Sequence, residues 1–152
     1  MGKLSKLDFV TGFAILIILF INETLSWGFN SNKGYDTNKA EKLYNEQCSK
    51  CHRKNGTGIK NVYPPLKDAD YIKKVDTQEL LRGMIYGRSG KITVNNVTYN
   101  GVMTTEVDKS LTDNDIALIL TYVLQKFNNI DKIVTAEEVV KAKKAGKLPP
   151  HK

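Results

Sequence analysis

The sequence contains few of the residues that stabilise small disulfide-rich domains or bind several metal ions. Its 152 residues include two cysteines and two histidines, which excludes a disulfide-dense scaffold and a protein with several metal centres. Apolar residues make up 41% and charged residues 26% of the chain, which excludes a polytopic membrane protein and a wholly disordered chain. The length corresponds to one domain with room for a terminal segment. The few cysteines and histidines are informative because Cys48, Cys51 and His52 lie within five positions.

Residues 1–26 have the pattern of an export signal. Two lysines precede an apolar run at 9–21, and no charged residue occurs at positions 9–22. A helix over those positions would be about 21 Å long, shorter than the roughly 30 Å core of a bilayer. This length favours a signal peptide, cleaved after Ser26, over a retained membrane anchor or a buried core helix. Both a signal peptide and a membrane anchor predict a periplasmic protein, which contacts the membrane only if the segment is retained.

Hydrophobic periodicity and capping residues predict four helices and one hairpin. The helices are predicted at 38–47, 76–86, 112–127 and 136–145, and the hairpin between 92 and 99. Thr112 followed by Asp115 has the spacing of a capping box, and Asn95-Asn96 tolerates the left-handed backbone of a tight hairpin turn. The predicted organisation is a linker at 27–36, a domain at 37–146 and a tail at 147–152.

Cys48, Cys51 and His52 form the C-x-x-C-H motif at which a c-type haem is attached. Two thiols three residues apart can reach both vinyl groups of one porphyrin, and the adjacent imidazole can bind the iron through Nε2. A structural zinc would need four ligands, and a thioredoxin-like pair would lie beside a βαβ pattern. The motif therefore predicts one covalently bound haem c, with a structural cysteine pair as the non-haem alternative.

The second axial ligand of the iron is predicted to be Met103. It lies in the segment YNGVMTTE, about fifty residues after the motif, where a loop can fold over the open face of the ring. Met84 is predicted to belong to the core face of the helix at 76–86, and His151 to be a solvated tail residue. An iron with one protein ligand is the further alternative, which predicts an open-site haem protein that binds a small ligand.

With these motifs, the sequence resembles the class I monohaem cytochromes c over roughly residues 36–146. The resemblance is carried by CSKCH at 48–52, YPPL at 63–66, GRSGKITVNNVTYNGVM at 87–103, LTDNDIALILTYVLQKF at 111–127 and VTAEEVVKAKKAG at 134–146. It is similar especially to a subset with a hairpin before the methionine loop, often associated with periplasmic oxidoreductases such as nitrite reductases. The resemblance implies an all-α cytochrome c fold, in which three main helices surround the haem and a small β-hairpin precedes the axial methionine.

The resemblance also implies roles for two residues near the ring. The carbonyl of Pro64 would accept a hydrogen bond from Nδ1 of His52, which orients the imidazole, and Leu66 would pack on the haem. Many relatives have a proline after the methionine ligand, whereas this chain has Thr104. The Met103 loop is therefore expected to be softer than in those relatives.

An iron bound by His52 and Met103 leaves no open position for a substrate, so an electron carrier is expected rather than an enzyme. The leading prediction is a periplasmic cytochrome that carries single electrons between redox partners. The alternative is a dedicated electron-transfer subunit of an oxidoreductase complex.

The formal charge of +7 predicts the type of partner. Residues 39–74 contain nine basic and four acidic residues, and the basic excess surrounds the haem motif. Four cations are predicted to surround the haem edge: Lys50, Arg53, Lys54 and Lys60. They favour an acidic redox protein as partner, with a nitrite reductase or a terminal oxidase as candidates, and nucleic acid is not expected.

Overall fold

A computed structural model of the chain describes residues 34–104, 107 and 109–151. Within these residues the helices are α1 (Thr37–Gln47), α2 (Ser49–His52), α3 (Asp70–Lys74), α4 (Thr77–Tyr86), α5 (Asp113–Asn128) and α6 (Ala136–Ala145). Strands β1 (Arg88–Val94) and β2 (Val97–Met103) pair as an antiparallel hairpin. The mostly helical fold with one small hairpin agrees with the sequence prediction. The predicted signal or anchor lies outside the described residues, and no helix inside them is long and apolar enough to cross a membrane.

The core is organised by the contact between α1 and α5. Tyr44 of α1 is fully buried, and its ring centroid lies 5.4 Å from that of Tyr122 and 5.2 Å from that of Phe127, both on α5. Aromatic pairs at such distances stabilise a core beyond the effect of their buried area. Helices α1 and α5 therefore pack directly against each other.

The four helices that periodicity predicts begin and end within one residue of the predicted positions. Their ends are encoded locally, because capping side chains satisfy the first free N–H groups of a helix. Thr112 and Asp115 form a complete capping box at the start of α5, and Thr135 and Glu138 form another at α6. Helices α2 and α3 were not predicted because one turn of helix is too short to show an apolar period.

The hairpin is longer than the predicted 92–99 and extends from Arg88 to Met103. Its turn at Asn95-Asn96 is confirmed, since both residues have positive φ angles, 50° and 62°. The turn is fixed to the start of α3: the N–H of Asn95 donates to the carboxylate of Asp70 at 2.7 Å. The N–H of Asp70 donates back to the Asn95 amide oxygen at 2.9 Å.

Met103 therefore does not lie in a loop, as the sequence predicts, but is the last residue of β2, opposite Arg88. The prediction was wrong because the period-two pattern of apolar residues stops at Tyr99, whereas backbone hydrogen bonds continue the ladder without it. The strand places Val102 on the solvent side, where it is 72% exposed, and Met103 on the opposite face.

Candidate functional site

His52, the last residue of α2, is buried and held by one hydrogen bond. Its Nδ1 lies 2.9 Å from the carbonyl oxygen of Pro64, the contact that the resemblance implies. A carbonyl only accepts, so the proton must be on Nδ1, and the neutral ring keeps a lone pair on Nε2. Burial lowers the pKa of His52, while the bond to Pro64 acts in the opposite direction. A neutral imidazole with a fixed tautomer is suited to bind a metal through Nε2.

The loop that presents the Pro64 carbonyl depends on Gly58. The backbone φ of this glycine is +62°, and its N–H donates to the carbonyl of His52 at 3.0 Å. A Cβ at this position would lie 2.3 Å from the carbonyl oxygen of Tyr63. No residue with a side chain fits there without moving the loop, so Gly58 is needed to bring Pro64 against His52.

Arg53 also shapes this loop, a role that the sequence did not indicate. The residue has φ 63°, which is uncommon for a side-chain-bearing residue. Its carbonyl accepts a hydrogen bond from the Tyr44 hydroxyl at 2.7 Å, and its Nε donates to the Gly58 carbonyl at 3.0 Å. The arginine expected only to add surface charge therefore connects the core helix α1 to the loop.

His52 lines an apolar cleft, whose empty space is about 750 Å³ when the solvent at its mouth is included. Residues from the Pro64 loop, α3, α4, both strands and α5 line the cleft, and Leu66 is among them. Burial of apolar rings or chains in such a cleft is favourable. The six predicted site residues fall into two groups: five line the cleft (Cys48, His52, Pro64, Leu66 and Met103), and Cys51 lies one residue before His52 on α2.

Two methionines reach the cleft, Met103 from β2 and Met84 from α4. Met103 is 39% exposed, whereas Met84 is half-buried and packs against the hydrophobic core, as predicted. Met103, at the end of the strand, is the more exposed of the two methionines.

Cys48 and Cys51 are free thiols, both half-buried. Burial, together with the neighbouring Cys51, raises the pKa of the Cys48 thiol to about 12. The thiol of Cys48 is therefore protonated at neutral pH and opens onto the cleft.

The prediction that His151 is a solvated tail residue is wrong. Its N–H donates to the carbonyl of Ser89 at 3.1 Å, and its carbonyl oxygen lies 2.2 Å from where a Cβ of Gly90 would be. Its Nε2 lies 2.5 Å from Nη2 of Arg88. The sequence could not reveal this contact because it joins residues 63 positions apart without any periodic pattern.

His151 belongs to a polar cluster that we call the cleft-wall cluster and define as Tyr71, Glu79, Arg88 and His151. Two of its members, Tyr71 and Arg88, line the cleft. Nη2 of Arg88 also lies 2.5 Å from Oε1 of Glu79, to which the Tyr71 hydroxyl donates. The guanidinium lies 5.0 Å from the centroid of the Tyr71 ring, in cation–π range. Burial raises the pKa of Glu79, but the hydrogen bonds from Tyr71 and Arg88 outweigh it and lower the pKa below its usual value.

Four basic side chains and one apolar side chain of residues 50–62 are exposed. Lys50, Arg53, Lys54 and Lys60 are all exposed, as predicted for a docking surface. Val62, in the same loop, is 58% exposed. Exposed apolar and charged side chains occur together at transient protein contacts.

Several known proteins are similar in sequence to most of this chain. The profile of the cytochrome c family matches residues 37–126. Cytochrome c-552 of Thermus thermophilus is 37% identical over 117 residues, which cover 72% of this chain and 86% of that protein. The cytochrome subunit of fructose dehydrogenase from Gluconobacter japonicus is 28% identical over 71% of this chain and 22% of its own length. The cytochrome c subunit of a quinone alcohol dehydrogenase from Gluconobacter oxydans is 25% identical over 76% of this chain.

Proposed function

Because this chain belongs to the cytochrome c family, and so transfers electrons through one covalently bound haem c, we propose that His52 and Met103 are the axial ligands of its iron. We further propose that the protein carries single electrons between redox proteins outside the cytoplasm. The convergence of His52 and Met103 on one apolar cleft is the observation that carries the proposal.

The residues at the cleft fit a covalently attached haem. Cys48 and Cys51 would form its two thioether bonds, and the Nε2 lone pair of His52 and the sulfur of Met103 are ligands that iron accepts. When bound, the haem supplies one-electron chemistry at its iron.

The remaining residues orient the ligands and exclude water. The carbonyl of Pro64 keeps the proton on Nδ1 of His52. The lone pair is therefore on Nε2, the ring nitrogen that takes no part in this hydrogen bond. Leu66 and the apolar side chains of α4 and α5 line the cleft, and their low polarity disfavours extra positive charge near the iron. Thioether ligation and an apolar surround both favour the reduced form and raise the reduction potential.

Optical spectra of the purified holoprotein test the assignment of Met103. We expect a thioether-linked haem with a methionine–iron charge-transfer band that is lost in Met103→Ala. Met84→Ala is the matched control, because Met84 lines the same cleft and its removal should leave the band in place. A band that survives Met103→Ala and disappears in Met84→Ala would contradict the assignment, and rapid carbon monoxide binding by the unmodified protein would support the open-site alternative.

A second candidate function is that of an electron-transfer subunit held in an oxidoreductase complex. The similarity to the cytochrome subunits of two dehydrogenases supports this candidate. It also favours a dehydrogenase as the partner enzyme over the nitrite reductase or terminal oxidase expected from the sequence. Pull-down of the full chain from its own cells, followed by size-exclusion chromatography, distinguishes the two. A stable complex with a dehydrogenase supports the subunit, whereas a monomer with mobile partners supports the carrier.

We also propose a periplasmic location, which is supported by the pattern of residues 1–26. Cell fractionation with N-terminal sequencing tests it. A periplasmic protein that begins at Trp27 is expected from cleavage after Ser26, and membrane-bound protein with an intact N-terminus indicates a retained anchor.

A further inference from the structure

The segment at 146–151, which we call the docked tail, begins against α4. Arg82 of that helix donates from Nε to the carbonyl of Gly146 at 2.7 Å and from Nη2 to the carbonyl of Lys147 at 2.8 Å. Two prolines follow at 149–150, and their fixed φ angles leave the connection few conformations. The start of the docked tail is thus attached to a helix whose side chains line the cleft.

The docked tail ends on β1. The N–H of His151 donates to the carbonyl of Ser89 at 3.1 Å, and His151 pairs with Gly90 as an isolated parallel bridge. The approach is close, because a Cβ on Gly90 would lie 2.2 Å from the carbonyl oxygen of His151. A glycine is therefore needed at this position to admit the tail. The docked tail contacts β1 along the edge opposite to β2.

The contact with the docked tail reaches Met103 through the hydrogen-bond pattern of the hairpin. Successive residues of an antiparallel strand direct their backbone groups to opposite edges. The carbonyl of Ser89 is directed to the tail, so the neighbouring Arg88 directs its backbone groups to β2, where Met103 is its partner in the register. His151 itself is not among the residues that line the cleft. The docked tail therefore supports the hairpin from outside the cleft.

Met103 depends on this support because it is the last residue of β2. The ends of secondary-structure elements open at a lower cost in free energy than their centres. Its partner Arg88 is also held from the side of the tail, since Nη2 of Arg88 lies 2.5 Å from Nε2 of His151. A β1 strand that is fixed at both edges gives the end of β2 a rigid partner.

We propose that His151 is a positioning residue for the iron ligand. Through Ser89 and Arg88 it keeps the end of β2 in place, and thereby keeps the sulfur of Met103 at the cleft. When the docked tail leaves β1, the strand end opens more often and small ligands can replace Met103. The inference rests on the ligand set proposed above, and goes beyond it by assigning the control of ligand exchange to the tail.

Imidazole binding to the ferric holoprotein measures how often the strand end opens, because a bound methionine must leave the iron before imidazole can bind. Stopped-flow mixing with saturating imidazole gives this rate. His151→Pro removes the N–H that donates to Ser89, so we expect binding to be about threefold to tenfold faster, the factor that the loss of one hydrogen bond corresponds to.

His151→Gln is the matched control, because it keeps the backbone N–H and a side-chain oxygen that can accept from Arg88. It should bind imidazole at nearly the rate of the unmodified protein. Equal rates in His151→Pro and the unmodified protein would overturn the proposal. Equal acceleration in His151→Pro and His151→Gln would overturn it as well, since the backbone contact would then be unimportant.

A second control separates the positioning of Met103 from a general loss of stability. Val139→Ala removes a fully buried side chain of α6 and none of the hydrogen bonds of the docked tail. It should lower the free energy of unfolding more than His151→Pro does, yet bind imidazole at the rate of the unmodified protein. If Val139→Ala accelerates binding as much as His151→Pro, the tail contributes stability alone and the proposal is wrong.

The optical spectrum of Met103→Ala, recorded beside these variants, tests the ligand set separately. If the charge-transfer band survives in Met103→Ala, the ligand assignment fails and the role of the tail fails with it. If the band requires Met103 while His151→Pro leaves the imidazole rate unchanged, the ligand assignment stands and the role of the tail is refuted.

Discussion

The side-chain amide of Asn128 donates a hydrogen bond to the carbonyl oxygen of Leu66, 2.9 Å away. The same buried side chain accepts from the N–H of Ala69 at 3.1 Å and donates to the carbonyl of Val123 at 3.0 Å. One residue at the end of α5 thus ties the segment after Pro64 to the long helix. The position of the His52 partner therefore depends on a side chain 62 residues from Leu66.

We expect Asn128→Ala to lower the free energy of unfolding by about 2–4 kcal/mol, because it leaves buried backbone groups without partners. Asn114→Ala, an exposed change on the same helix, should alter it by less than about 0.5 kcal/mol. Denaturant unfolding of the holoproteins measures both. Equal effects of the two substitutions would show that the bonds of Asn128 do not stabilise the loop.

Gly58→Ala should destabilise the protein more than the same substitution at a glycine where a side chain has room. The new Cβ would collide with the Tyr63 carbonyl in a left-handed backbone, which costs more than about 1 kcal/mol. Gly101→Ala on β2 is the control, since a Cβ there meets nothing within 4 Å. Thermal unfolding should show a clear loss of Tm for Gly58→Ala alone, and a similar loss for both would contradict the strain at Gly58.

The capping box of α5 should make stability depend on pH through Asp115. The hydrogen bond from Lys39 and those from Thr112 lower the pKa of this carboxyl. A carboxyl with a lowered pKa stabilises the fold above its ordinary pKa of about 3.9, and that stabilisation is lost as the pH falls through the folded pKa. Asp115→Asn should therefore cost about 1 kcal/mol at pH 7, and the difference should shrink below pH 4. Unfolding curves at pH 7, 5 and 3 measure this, and a constant difference would show that the charge is unimportant.

The basic docking surface can be tested with small redox reagents. Lys54→Glu and Lys60→Glu should slow the reaction with anionic ferricyanide several-fold at low salt and accelerate the reaction with a cationic cobalt complex. Both effects should disappear near 1 M salt, where the Debye length is about 3 Å. Lys144→Glu on α6 controls for net charge, and stopped-flow kinetics measures the rates of the unmodified protein and of the three variants with each reagent. Equal effects of all three substitutions would indicate net charge alone, without a local docking surface.

The sequence predicted those features whose cause is local. The capping box at Thr112, the turn at Asn95-Asn96 and the cluster of Cys48 and His52 each lie within a few adjacent residues, so their patterns are visible in the sequence. The one long-range contact predicted in the site, from His52 to Pro64, came from a family resemblance and not from the pattern of residues.

Several of the features that the sequence missed depend on tertiary contacts. Three of these features have no periodic signal in the sequence. They are the contacts of His151 with Ser89 and Arg88, the hydrogen bond from Asn128 to Leu66, and the hydrogen bond from Arg53 to Gly58 in the loop. Each depends on the fold of the backbone to bring its two partners together. Tertiary contacts of this kind decide which polar groups meet, and one sequence does not show them.

The two-residue turn of the hairpin determines which side chain reaches the cleft. Side chains alternate between the two faces of a strand, so a shift of one residue exchanges the two faces. An insertion of one residue between Asn95 and Asn96 that moves the register would direct Val102, with no sulfur, toward the cleft and Met103 toward solvent. Surface turns usually tolerate insertions and deletions, but the length of this turn should be constrained as strictly as the identity of an iron ligand.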